Sequence, residues 1–157
     1  MGKKLTTYFD FAEDDYQYLL EDYNNGRVAN YMGASAQNTC ERYLKYIIED
    51  MYKAHNDDEI DEKAAILKVH NLKKLMKFLR EYELCDITKE EYVSISAING
   101  FYFSTRYPGD ESISIDKEDL DNCMIALEIC RNKALELIMQ KYQTEQQEND
   151  IDNDMER

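Results

Sequence analysis

What most narrows the fold of this chain is how few helix breakers it has. Its 157 residues include one proline, Pro108, and five glycines. Proline costs about 3 kcal/mol and glycine about 1 kcal/mol relative to alanine inside a helix. A chain this poor in both is free to form long helices and lacks the punctuation of a strand-and-turn fold. The apolar spacing agrees. From about Thr7 to Asn24, Phe9, Ala12, Tyr16, Leu19 and Tyr23 recur at steps of three and four, and Asn24-Asn25-Gly26 closes the segment. From about Arg27 to Ala54 the stripe Ala29, Met32, Ala36, Cys40, Tyr43, Ile47 and Met51 keeps that rhythm. The small residues Gly33 to Ala36 suit the close approach of another helix, so this second helix is expected to be central.

A third helix is expected over about Ala64 to Tyr82, with Leu72, Leu75, Leu79 and Tyr82 on one face. A fourth begins at Thr88, which forms a capping box with Glu91, and aligns Tyr92, Ile95, Ile98 and Tyr102. Residues 104–115 are irregular. A fifth helix runs from an Asp116 N-cap to about Tyr142 on the stripe Leu120, Cys123, Leu127, Cys130, Ala134 and Leu137. The chain is therefore expected to be all-α, an antiparallel bundle of about five helices forming one domain over residues 1–143. The acidic run Asn56 to Glu62 is expected to be an exposed loop, because it lacks the Asp-x-Asp-x-Asp-Gly spacing of a calcium loop. The polar, acidic residues 144–157 are expected to be a disordered tail.

Thirty-three acidic residues against 19 basic ones give a net charge of −14. That charge repels phosphate backbones and anionic lipid surfaces, so non-specific nucleic-acid binding and membrane binding are not expected. No segment reaches the roughly 18 apolar residues of a membrane span, and the N-terminus lacks the apolar stretch of a signal peptide. Met1 to Thr6 fits the N-myristoylation pattern, a short pattern that accidental matches also satisfy. The four cysteines, Cys40, Cys85, Cys123 and Cys130, form no CxxC pair and no zinc spacing. Three of them fall on apolar stripes and read as core residues of a reducing, cytoplasmic environment. No metal or cofactor is expected.

Three further signals bear on function. Gln37, Glu41 and Lys45 are spaced four apart and share one face of the second helix, with Glu41 and Lys45 in the favourable order for an ion pair. Taken alone, they read as an ordinary pair on a solvated face. His70-Asn71-Leu72-x-x-Leu75 opens an amphipathic segment, where a lone histidine is most often structural. Phe101 to Asp110 reads Phe-Tyr-Phe-Ser-Thr-Arg-Tyr-Pro-Gly-Asp. Pro108 forces Tyr107 out of the helical region, which puts Arg106 on a last helical turn. There Arg106 either pairs with Glu41 or Asp110, or points into a cleft and grips an anion in a bidentate way.

In their order and helical context these motifs resemble the HEPN family: its Gln-Glu-Lys line, its His-x-Leu-x-x-Leu and its Tyr-x-x-x-Arg-Tyr-Pro segment. The resemblance covers roughly residues 11–138. It implies a homodimeric helical domain that binds a nucleotide or another small anion, or acts with a separate minimal nucleotidyltransferase as a toxin–antitoxin-like pair. The ligand site it implies is Arg106, Tyr107, Asp110 and Tyr102, faced by Glu41, Lys45 and His70. The family's ribonucleases carry a histidine four to six residues beyond the residue that follows the arginine. Here no histidine follows Arg106, and the only two are His55 and His70. The expected function is therefore binding without catalysis. The alternative is a ribonuclease toxin with a degenerate active site, for which His70 has to approach Arg106 in space.

Overall fold

The structure, a computed structural model, describes residue 2 and residues 4–156. Met1 and Lys3 of the acylation pattern, and Arg157, lie outside the described residues. The described chain is all-α: six helices of eight residues or more and one single turn, packed as a bundle. They are α1 (Tyr8–Asn24), α2 (Asn30–Met51), α3 (Asp57–Ile66), α4 (Leu72–Glu81), α5 (Lys89–Ser96), the turn α6 (Phe101–Ser104) and α7 (Lys117–Met155). No described helix is long and apolar enough to cross a membrane.

Local chemistry sets most of the boundaries. Thr7 and Asp10 form a reciprocal capping box at the start of α1, as Thr88 and Glu91 do for α5 and Asp116 and Asp119 for α7. The second helix is central as expected, packing against α1, α4, α6 and α7. Tyr43, Leu44, Ile47 and Ile48 of α2 are buried with Leu120, Ala126, Leu127 and Ala134 of α7. Cys40, Cys123 and Cys130 are buried free thiols of this core.

Four expectations are corrected. The acidic run is not a loop but the helix α3. Asn56 caps it by accepting from the Glu59 amide at 2.9 Å, and Asp57, Asp58 and Glu59 sit in a first turn whose dipole favours negative charge. Its charges are also used: Glu62 accepts hydrogen bonds from the Tyr52 and Tyr82 hydroxyls, and Lys63 donates to the backbone oxygens of Glu49 and Tyr52. The expected third helix is interrupted before Leu72, where Asn71 caps α4 by accepting from the Lys74 amide at 3.0 Å. The expected fourth helix ends at Ser96, and after a turn over residues 97–100 the chain restarts at Gly100, whose φ of 107° lies in the left-handed region open to glycine. Finally, residues 144–155 continue α7 instead of forming a disordered tail. No proline or glycine follows Gly109. A helix already nucleated in the core extends at little cost through Glu, Gln and Lys.

Candidate functional site

The Gln37–Glu41–Lys45 face of α2 is turned inward, not toward solvent. Gln37 and Glu41 are fully buried and Lys45 nearly so. Buried polar groups persist when they are hydrogen-bonded, and these form one network. Gln37 Nε2 donates to Glu41 Oε1 at 3.1 Å. Glu41 Oε2 lies 3.0 Å from His70 Nδ1 and 4.0 Å from Lys45 Nζ. Burial pushes the Lys45 ammonium down from its ordinary value, against the opposing pull of the Glu41 charge. A carboxylate paired with Lys45 only accepts, so His70 Nδ1 is the donor and Nε2 is left without a partner among the described residues.

The same Gln37 builds the other side of the site. Its Oε1 accepts from the backbone amides of Gly100 and Tyr102, both at 2.9 Å. The turn α6 has no side-chain cap of its own; Gln37 supplies one from across the interface. Asn99 Oδ1 accepts from the Leu72 amide at 2.8 Å and ties this junction to the start of α4, next to His70. Gly33 lets α6 lie close on α2: a Cβ there stands 3.2 Å from Thr105 Cγ2 and 3.4 Å from Phe101 and Ile115.

The outcome is a cluster of aromatic rings around a stacked His70–Tyr102 pair and the Arg106 guanidinium. The His70 and Tyr102 rings are parallel within 2° with centroids 4.6 Å apart. Arg106 Cζ lies 4.6 Å from the Tyr102 ring centre and 5.4 Å from that of Tyr107. Phe103 packs beside Tyr102 and Tyr107 at 5.1 and 6.1 Å. Arg106 is exposed and makes no ion pair or side-chain hydrogen bond among the described residues. The pairing with Glu41 or Asp110 that the sequence leaves open does not form. The helical turn ends at Ser104, so Arg106 stands just beyond it, not on its last turn. The loop that follows is pinned by Asn30, whose Nδ2 donates to the Ile113 oxygen and whose Oδ1 accepts from the Ile115 amide, each at 2.9 Å.

Glu41, His70, Tyr102, Arg106 and Tyr107 thus meet in one assembly. Lys45 belongs to its buried floor, and Asp110 is exposed in the loop and forms no ion pair with Arg106 among the described residues. Sequence reasoning missed Asn30 and Asn99 as well as the linking part played by Gln37. The available signal was an amide side chain amid the small residues of the central helix, where a polar group needs partners from the element packed against it. Among the described residues no group of three or more His, Cys, Asp and Glu side chains is placed to hold a metal ion. The chain matches no protein-family model, no curated protein and no solved structure.

Proposed function

We propose that this chain is a non-catalytic, HEPN-like binding domain whose Arg106 face takes a nucleotide or other small anion. It acts as a homodimer, or with a minimal nucleotidyltransferase partner in a toxin–antitoxin-like pair. One observation above the others supports this: the Arg106 guanidinium lies 4.6 and 5.4 Å from the ring centres of Tyr102 and Tyr107 and has no ion-pair or side-chain hydrogen-bond partner among the described residues. A planar donor fork that already rests against aromatic rings loses less freedom when it grips a carboxylate or phosphate than one extended into water. Calorimetric titration of the purified protein with nucleotides tests the proposal. Binding that disappears in Arg106→Ala is the expected result, and the absence of any Arg106-dependent binding refutes the ligand reading.

One observation favours a second reading, a ribonuclease with a displaced histidine. His70 and Arg106 both lie 4.6 Å from the centre of the Tyr102 ring, and Glu41 engages His70 Nδ1, which leaves Nε2 without a partner among the described residues. This reading expects growth arrest on expression, abolished by His70→Ala and by Arg106→Ala alike. An intact total-RNA profile after induction removes it.

A further inference from the structure

On its loop side, Arg106 opens onto a hollow of about 400 Å³. Its polar lining divides into groups already engaged and groups that are not. Both ends of the Asn30 amide are used on the loop backbone, and Thr105 Oγ1 donates to the Phe101 oxygen at 2.6 Å. Left over are the Arg106 guanidinium and the hydroxyls of Ser104, Ser112 and Ser114, none of which has a side-chain hydrogen-bond partner among the described residues. Asp110 and Glu111 belong to the same loop but do not line the hollow.

A two-pronged cationic fork with three neutral hydroxyls is a donor set for a ligand group with several acceptor oxygens pointing in different directions. A carboxylate has two, in one plane. A phosphodiester has two non-bridging oxygens and turns two ester carbons toward the walls. A phosphomonoester has three such oxygens and leaves through a single ester bond, so it meets the fork and the hydroxyls together. Net charge separates a single phosphate group from a polymer of them. A chain at −14 repels an extended polyanion over its whole length, whereas one terminal phosphate meets the Arg106 charge at contact distance.

We propose that this hollow is a phosphomonoester subsite, with Arg106 as the charged clamp and Ser104, Ser112 and Ser114 as neutral donors around the terminal oxygens. The proposal rests on the reading of the Arg106 face as a ligand site and adds the chemical class of the group it takes.

The test is calorimetric titration of the full chain at low ionic strength with adenosine 5′-monophosphate, inorganic phosphate and dimethyl phosphate. The monophosphate and inorganic phosphate are expected to bind, and dimethyl phosphate at least about tenfold more weakly. Ser112→Ala and Ser114→Ala are expected to weaken monophosphate binding about fivefold each, the effect of one lost neutral hydrogen bond, and Ser112→Thr to restore it. Both serines are exposed, so unchanged circular-dichroism melting is expected for these variants. If monophosphate binding needs Arg106 but ignores the serine substitutions, and dimethyl phosphate binds equally well, the subsite is refuted while the Arg106 face stands as a ligand site. If none of the three probes binds the unaltered chain, both readings fall.

Discussion

Two arginines of this bundle lie over tyrosine rings at nearly the same distance, Arg131 over Tyr16 at 4.8 Å and Arg106 over Tyr102 at 4.6 Å. They differ in what meets their N–H edges. Arg131, on α7, donates to both carboxylate oxygens of Glu13 on α1, at 2.6 and 3.1 Å, and Tyr43 of α2 donates to the same carboxylate at 2.7 Å. That cluster is closed on itself and joins three helices. Arg106 sits at a similar distance over its ring but has no such partner among the described residues. A third case, Arg80 over Tyr92 at 4.5 Å, donates to the backbone oxygens of Ile87 and Thr88 and is also engaged. All three guanidinium groups make a cation–π contact. Whether the fork then finds an acceptor within its own fold separates a structural arginine from one kept for something else.

The largest effect expected from testing this contrast lies beneath Arg106. Glu41→Ala leaves Lys45 buried without its counter-charge and is expected to lower unfolding stability by about 3–5 kcal/mol in urea titration. Glu41→Leu combined with Lys45→Met is expected to recover most of that loss. A cost under about 1 kcal/mol for Glu41→Ala would mean that the network does not support the stack. Next comes the closed cluster. Arg131→Ala removes two charge-assisted hydrogen bonds and is expected to cost about 2 kcal/mol.

This second effect has a pH signature. Burial raises the Glu13 carboxyl, but the hydrogen bonds from Arg131 and Tyr43 and the Arg131 charge outweigh it, holding the group below its ordinary value of 4.5. A depressed carboxyl contributes its full stability above that ordinary value and loses it as pH falls through the lower folded one. The stability gap between the unaltered chain and Arg131→Ala is therefore expected to be constant near neutrality and to shrink below pH 4.5.

Gly33→Ala is expected to be milder. The helix gains up to about 1 kcal/mol in propensity while the new Cβ presses on Thr105 at 3.2 Å. Stability should stay within about 1 kcal/mol, with a measurable loss of nucleotide affinity as the Arg106 loop is pushed outward. The smallest stability change belongs to Arg106→Ala, within about 0.5 kcal/mol, although the proposed function expects it to remove ligand binding. If that variant melts as early as Arg131→Ala, the distinction between the two arginines is wrong.

Much of the architecture was legible wherever one rule acted alone. The stripes of α1, α2 and the first half of α7, and the caps at Thr88 and Asp116, follow from spacing and from side chains that reach only a few residues. Misreadings arose where two rules competed. Charge density argued for a loop at Asn56 to Glu62, but those same charges suit a first helical turn and reach tyrosines on other helices. Apolar periodicity carried the fourth helix past Gly100, where one left-handed residue re-aims Tyr102 toward His70. The candidate site residues were marked by motif resemblance, and the structure places Glu41, His70, Tyr102 and Arg106 in one chain of contacts. The closed edge of Arg131 and the open edge of Arg106 were not legible, because partners separated by 118 positions, as Glu13 and Arg131 are, leave no local trace.

The amide of Gln37 has one more consequence. A turn of four residues cannot hold itself together in water, and α6 borrows the acceptor at its start from the middle of α2. The surface that bears Arg106 therefore has no existence apart from a docked central helix. A nascent or damaged chain whose α2 is out of place does not present a weakened version of this surface; it presents none. On the proposed reading, recognition of the Arg106 face by a ligand doubles as a check that the bundle is finished.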